Sequence, residues 1–129
     1  MTQPVVEPQR ESPTGRLAMA AASFNLGREL ENLRAEQAWQ AGDRNAKTLF
    51  KKPGLRVVLL ALKSGARLEK HEAPGSITIH ALAGRLRVHL ASETIELEPG
   101  EILSVDSGLT HDLEALEQSA ILLTVAGAN

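Results

Sequence analysis

The sequence predicts an all-β domain, an antiparallel sandwich or barrel, preceded by one amphipathic helix. After Gly42, short apolar segments with a period close to two follow one another. Turn residues separate these segments at intervals of about ten positions, and no helical pattern lies between them. Such spacing is typical of antiparallel sheets, whereas parallel sheets need helical crossovers. The length of 129 residues and the 43% of hydrophobic residues fit a single globular domain.

The first part of the chain is polar and rich in proline. Residues 1–16 contain Pro4, Pro8 and Pro13 and few apolar side chains, which predicts a disordered tail. The short apolar run 17–24 imitates the core of a signal peptide, but acidic residues precede it, which argues against secretion. No apolar run reaches the length of a membrane span. We therefore expect a cytoplasmic protein with no membrane partner.

The segment 17–45 is predicted to be helical. Apolar side chains recur there on one helical face, at positions i, i+4 and i+7. They are Leu26, Leu30 and Leu33. Ser23 or Asn25 can cap the start of the helix, and Gly42 stands where a left-handed helix stop is expected. The opposite face is charged but not rich in lysine, so we expect the helix to pack on the outside of the β domain rather than on a membrane.

The β domain is predicted to span residues 46–129. Its strands are expected at 46–51, 55–62, 67–72, 76–83, 85–90, 94–97, 102–105, 111–115 and 119–125. The segments 76–83 and 85–90 are predicted to form a hairpin around Gly84, with Leu82 opposite Arg85. In that register one face is wholly apolar and must be the interior. Its members are Ile77, Ile79, Ala81, Leu86, Val88 and Leu90. The other face carries Thr78, His80, Arg87 and His89, so two of the four histidines are expected outside the barrel.

Composition excludes several classes of function. The chain has no cysteine, which rules out disulfides, thiolate catalysis, zinc fingers and iron–sulfur clusters. The formal charge of −2 gives no electrostatic attraction to nucleic acid or to an anionic membrane. Aromatic residues make up only 2% of the chain, which argues against base-stacking platforms and aromatic cages. The sequence therefore predicts no nucleic-acid partner.

His71 and His111 remain as candidates for chemistry inside the barrel. His111 alternates with Leu113 and Ala115, so it is expected to share a face with core residues. Two imidazoles from separate strands of one small barrel can bind a metal or serve as acid and base. Alternatively, the two rings simply hydrogen-bond each other or a water molecule in the interior.

Two glycine-bounded motifs contain these histidines. In the first, five residues separate Gly65 from His71, and six residues separate Ile77 from Gly84. The second motif consists of Gly100, Asp106, Gly108 and His111, separated by five, one and two residues. Over residues 55–125 this skeleton resembles the conserved barrel of the cupin superfamily. The resemblance implies an RmlC-like jelly roll, a double-stranded β-helix, with a ligand site at the barrel mouth.

The motifs depart from those of metal-binding cupins. In those proteins the first motif supplies two histidines and a glutamate, and the second supplies one histidine. This chain keeps His71 and His111 but has Ala73 for the second histidine and Ile77 for the glutamate. Two imidazoles without a carboxylate hold a first-row metal weakly. Glu69 shares the strand parity of His71 and is the best replacement ligand. Leu68 would then point outward, which suggests a bulge in this strand.

Three functions remain open. In the first, the chain is a small-molecule-binding barrel with a degenerate metal site. Its pocket residues would be His71, His111, Ala73, Ile77, Ile79, Ala81, Leu86, Val88 and Leu113. No cofactor is assured, and a divalent transition metal is expected at low occupancy at most. In the second, the chain is a metal-dependent cupin enzyme (dioxygenase, isomerase or epimerase) using His71, His111 and Glu69. In the third, it is a partner-binding protein with a vestigial pocket.

The resemblance also implies a homodimer, because small single-barrel cupins commonly form one. Sheet edges need covering, and the strand 46–51 is a candidate for such a contact. The polar face with His80, Arg87 and His89 is a second candidate.

Overall fold

The computed structural model describes residues 21–72 and 75–127, so the predicted tail and Ala73 lie outside the described residues. Two helices come first, α1 (Leu26–Ala35) and α2 (Gln37–Ala41). The strands that follow are β1 (Arg44–Lys52), β2 (Leu55–Leu62), β3 (Arg67–Glu72), β4 (Ser76–Ala83), β5 (Leu86–Leu90), β6 (Thr94–Leu97), β7 (Ile102–Val105), β8 (Thr110–Ala115) and β9 (Ser119–Ala126). The predicted all-β class and the jelly roll are confirmed.

The strands form two sheets that pack face to face. One sheet has five strands in the order β1-β2-β9-β4-β7, and the other has four in the order β3-β8-β5-β6. Every pairing between these strands is antiparallel. The strand bounds agree closely with those expected from the sequence, and the largest shift is at β1, which begins at Arg44 instead of residue 46.

The predicted N-terminal helix is confirmed, with two differences from the expectation, and residues 17–20 of its segment lie outside the described residues. Asn25 caps α1, because its side-chain oxygen accepts a hydrogen bond of 2.9 Å from the backbone N–H of Arg28. The helix stops at Glu36, whose extended backbone separates α1 from α2. Gly42 follows α2 with a φ of −134°, so the expected left-handed stop is wrong. The chain instead leaves the helix in an extended conformation and continues directly into β1.

Helix α1 packs on the outer face of the five-stranded sheet. Leu33 is buried there against Leu49 of β1 and Leu59 of β2. Partly buried apolar side chains surround these three residues: Phe24, Leu26, Leu30, Phe50, Val57, Leu82 and Leu122. Within the described residues, no helix is both long and apolar enough to cross a membrane.

The predicted hairpin between β4 and β5 is wrong. Strand β4 pairs with β7 and β9, whereas β5 pairs with β6 and β8, so the two segments belong to different sheets. The chain passes from one sheet to the other at Gly84, which has a φ of +78°. Side chains alternate between inside and outside whether or not two strands pair, so the predicted inner face survives this error. The alternation could not distinguish a hairpin from a corner.

The main core lies between the two sheets. Its buried members are Leu62, Ala66, Ile77, Ile79, Ala81, Leu86, Val88, Leu97, Val105, Leu113, Ala115, Ile121 and Val125. The residues that were predicted to face outward are also divided between the two sheets by the turn at Gly84. His80 lies on the outer face of the five-stranded sheet, while Arg87 and His89 lie on the outer face of the other sheet. These three residues therefore cannot form the single polar contact face that the sequence suggested.

Candidate functional site

The two candidate histidines occupy opposed backbone positions on the β3–β8 ladder. His71 and His111 are directly opposed in the register of these antiparallel strands. Leu68 pairs with Leu113 two positions further along β8, but three positions separate Leu68 from His71 on β3. The extra residue is a bulge, which confirms the irregularity that the sequence indicated in this strand. The bulge brings both Leu68 and His71 opposite inward-facing positions of β8.

His111 stands at the end of an apolar inner surface. It is 9% exposed and alternates with the buried side chains of Leu113 and Ala115, as predicted. Its Nδ1 lies 3.4 Å from the carbonyl oxygen of Leu109, a long contact for a hydrogen bond. On the other side of β8, Leu90 of β5 is its register partner. His111 is therefore the polar member of an inner face of β8 that it shares with Leu113 and Ala115.

Six apolar residues of the predicted pocket are brought together, whereas the seventh, Ala73, lies outside the described residues. These six belong to the core between the sheets, and each is at most 4% exposed: Ile77, Ile79, Ala81, Leu86, Val88 and Leu113. Side chains this deeply buried form a packed floor beneath His111 rather than an open wall.

Glu69, the predicted replacement ligand, is an exposed residue. Its charge acts on Arg44 of β1. The pKa of Arg44 is raised chiefly by the hydrogen bond to Asp43, and the negative charge of Glu69 adds to that effect. Arg44 also donates a hydrogen bond of 2.7 Å to the carbonyl oxygen of Arg67 at the start of β3. Among the side chains that the structure describes, which exclude those of residues 70–72, no group of three or more histidine, aspartate or glutamate residues is arranged to hold a metal ion.

A cavity opens where β5 ends and β8 begins, and we call it the strand-end notch. Its volume is about 390 Å³, and its lining residues are His89, Leu90, Ala91, Thr110, His111 and Asp112. Of these, sequence reasoning found only His111 as a pocket residue. The others were missed because the notch depends on the pairing of β5 with β8, which brings Leu90 opposite His111 and His89 opposite Asp112. One indication of the notch was present in the sequence, the predicted inward position of Leu90.

An ionic network covers the outer face of the four-stranded sheet beside the notch. His89 Nε2 lies 3.0 Å from Glu114 Oε1, and His89 Nδ1 lies 3.2 Å from Thr94 Oγ1. Arg87 lies 2.9 Å from Glu96 and 3.8 Å from Glu114. The hydrogen bond from His89 lowers the pKa of the Glu114 carboxyl, desolvation opposes this shift, and nearby arginine charges support it. His89 is therefore held by partners on both ring nitrogens.

Asp112 lies on the same outer face, where its register partner on β5 is His89. Its Oδ2 lies 3.3 Å from a guanidinium nitrogen of Arg67. Its Oδ1 is buried and has no hydrogen-bond partner among the described residues. A buried acceptor without a donor is uncommon in folded proteins, because it has lost its water without replacement.

The family model for the cupin domain matches residues 58–126. This chain belongs to the cupin family. No curated protein matches it. The cupin model covers the chain from within β2 to the end of β9, whereas the helices, β1 and the first three residues of β2 precede it.

Solved structures share the cupin fold at low identity. A conserved protein of unknown function from Streptococcus pyogenes is 23% identical, with a TM-score of 0.68 over 84% of this chain and 90% of that one. KdgF from Halomonas is 22% identical, with a TM-score of 0.62 over 67% of this chain and 82% of that one. A variant of salicylate 1,2-dioxygenase from Pseudoaminobacter salicylatoxidans, in complex with gentisate, is 18% identical, with a TM-score of 0.72 over 80% of this chain and 32% of that one. At these identities the likeness shows the fold alone.

Proposed function

We propose that this cupin barrel binds a small, largely apolar molecule at the mouth formed by β3 and β8. The observation that carries the proposal is the position of His111, a nearly buried imidazole at the end of an inner face made of aliphatic side chains. Ligand sites in proteins are typically apolar cavities with a few polar groups that orient the ligand. His71, the register partner of His111, is the second polar group of this proposal.

The residues of the motif do not fit the metal cage of metal-binding cupins. That cage draws three ligands from the first motif, and this chain has only His71 of the three, since Ala73 and Ile77 replace the others. Ile77 is 4% exposed and packs in the aliphatic core, where a charged metal centre would be poorly solvated. The proposal therefore assigns His71 and His111 to ligand recognition and derives no reaction step through a metal.

A metal-dependent enzyme is the second candidate, and it draws on the same opposed pair of histidines. It also needs a carboxylate ligand, because two imidazoles leave the coordination of a first-row metal incomplete. Glu69 is exposed, and Asp112 alternates to the outer face of β8. Neither of these two carboxylates is placed to complete a metal site with His111, which favours the binding function over the enzyme.

Metal content tests the proposal. Protein purified without a histidine tag is expected to hold well under one equivalent of iron, manganese, zinc or nickel by elemental analysis.

The double variant Ala73→His with Ile77→Glu is expected to gain metal affinity sharply, since it supplies the two ligands that the motif lacks. Ala73→His with Thr78→Glu is the matched control, because Thr78 alternates to the opposite face of β4 from Ile77.

Stoichiometric metal that survives dialysis of the original protein would instead support the enzyme. If both double variants bind metal equally, Ile77 does not face the histidines, and the proposed pocket is wrong.

We also propose that the protein is a homodimer. Strands β1 and β7 are the two edges of the five-stranded sheet, and edge strands that remain uncovered promote association. Ile102 on β7 is 61% exposed, which is unusual for a large aliphatic side chain. Light scattering over a wide concentration range is expected to give twice the chain mass, and Ile102→Lys is expected to shift the mass towards the monomer. A monomeric mass for the unchanged chain at every concentration would contradict the proposal.

A further inference from the structure

Positive charge is concentrated between the start of β1 and the start of β3. Residues 44–68 contain seven of the fourteen lysine and arginine residues of the chain and no aspartate or glutamate. Four of the seven have a partner: Arg44 with Asp43, Lys47 with Glu29, Arg67 with Asp112, and Lys63 with the ring of Trp39. Among the described residues, the other three have neither an ion pair nor a ring contact: Lys51, Lys52 and Arg56.

Two of these three cations face each other across a strand pair. Lys51 and Arg56 are directly opposed in the register of β1 and β2. Like charges at opposed positions repel and weaken the pairing of the strands. Lysine on an edge strand protects against aggregation, which accounts for Lys51 on β1. It does not account for Arg56, because β2 lies inside the sheet, between β1 and β9.

The opposed cations continue an apolar row of the five-stranded sheet. Arg56 is the register partner of Val125, and Ile77 is the register partner of both Val125 and Val105. These three aliphatic residues are at most 5% exposed and belong to the core between the sheets. Directly opposed residues point to the same side of a sheet. Lys51 and Arg56 therefore occupy inward positions at the solvent-exposed end of this row.

This row lies at the same end of the barrel as His111. The turn after Val105 leads directly into β8, whose second residue is His111. Inward residues of β2 and β8 also share one core, where Leu62 and Leu113 belong to the same buried cluster. Packed sheets lie about 10 Å apart, so a small molecule with its apolar body at His111 can reach the opposed cations with its polar end.

We propose that Lys51 and Arg56 bind the polar end of the ligand, and that this end is an anion, a carboxylate or a phosphate. This inference rests on the proposed function, because it names the polar end of the molecule whose apolar body lies at the mouth. The planar guanidinium of arginine pairs with two oxygens of either group, and the lysine ammonium adds a charge-assisted contact. The bound anion also offsets the repulsion between the two cations.

Four probes with the same hydrocarbon chain test the inference by ¹⁵N-edited NMR on the full protein at neutral pH: hexanoate, hexyl phosphate, 1-hexanol and hexylamine. At least one of the two anions is expected to bind about tenfold more tightly than 1-hexanol, as for the gain of one charge-assisted contact. It is expected to shift the amide signals of residues 51, 56 and 111. Hexylamine is expected to bind more weakly than 1-hexanol, because its ammonium meets two positive charges. The tighter anion shows which of the two acidic groups the site prefers.

The variant Arg56→Gln removes one charge of the opposed pair. It is expected to weaken the preferred anion by about tenfold and to leave 1-hexanol unchanged. Lys51→Gln is expected to act in the same direction, so the test does not depend on a single variant. Lys52→Gln is the matched control, because Lys52 belongs to the same hairpin but alternates to the other face of β1, where it lies opposite Leu55. This control is expected to keep the preference for the anion.

The inference is wrong if both anions bind no better than 1-hexanol. It is also wrong if neither Arg56→Gln nor Lys51→Gln weakens the preferred anion, or if Lys52→Gln weakens it as much as they do. In each of these cases, binding of 1-hexanol at His111 would still support the proposed function. If no probe shifts the signals of His111 or its neighbours at concentrations up to about 10 mM, both the inference and the proposed function fail.

Discussion

Replacing Gly84 with alanine is expected to lower the free energy of unfolding by about 4 kcal/mol, since overpacking costs about 1–3 kcal/mol and a left-handed backbone adds about 1–2. A Cβ atom at this position would lie 2.8 Å from the Cα of Ser119 and closer still to the Ser119 hydroxyl and the Gln118 carbonyl oxygen. Two of these three atoms belong to the backbone, so no side-chain rotation relieves the clash. The backbone also has a φ of +78°, which a residue with a Cβ rarely adopts.

Gly54→Ala is the matched control for this measurement. Gly54 has a φ of +75°, but no described atom would lie within 4 Å of its new Cβ. The control therefore keeps the backbone strain and omits the clash, and we expect it to cost about 1–2 kcal/mol. Chemical denaturation of both variants measures the difference. Equal losses would mean that the chain does not turn tightly against β9 at Gly84, and the corner between the sheets would need a different description.

The Gly84 corner also shows what the sequence could and could not predict about the fold. The strand bounds depend on local signals, namely a period of two and the turn residues between segments, and these were predicted to within about two residues. Which strands pair depends on contacts between distant parts of the chain, and alternation carries no information about them. For that reason the inner face of β4 and β5 was predicted correctly while their pairing was wrong.

The features of the candidate site that depend on local alternation were also predictable, whereas those that depend on strand pairing were not. The inward position of His111 follows from its alternation with Leu113 and Ala115, which is local. The bulge in β3 was suggested only because Leu68 and Glu69 conflicted with a regular strand. The notch could not be predicted, because Leu90 meets His111 only through the β5–β8 ladder. The side-chain pattern gave no signal for the extended backbone at Glu36 that ends α1.

Replacing Ile77 with alanine is expected to lower the free energy of unfolding by about 3 kcal/mol, through lost burial and the cavity that remains. Ile77 is 4% exposed and lies opposite Val105 on one side and Val125 on the other, in the interior of the five-stranded sheet. On one side, β9 is paired with two strands. On the other, Val105 of the edge strand β7 is buried in the core. The site therefore has little freedom to collapse around the smaller side chain.

Thr78→Ala is the matched control, because Thr78 is the next residue on β4 and alternates to the outer face, where it lies opposite Ser104 and Thr124. A partly exposed threonine on a polar face is expected to contribute only about 0.5 kcal/mol. Urea denaturation of the two variants measures both losses in the free energy of unfolding. A large loss for Ile77→Ala with a small loss for Thr78→Ala is expected if Ile77 occupies the inward position that the motif glutamate has in metal-binding cupins. Similar losses for both would mean that Ile77 does not face inward on β4. The description of an aliphatic floor beneath His111 would then be wrong.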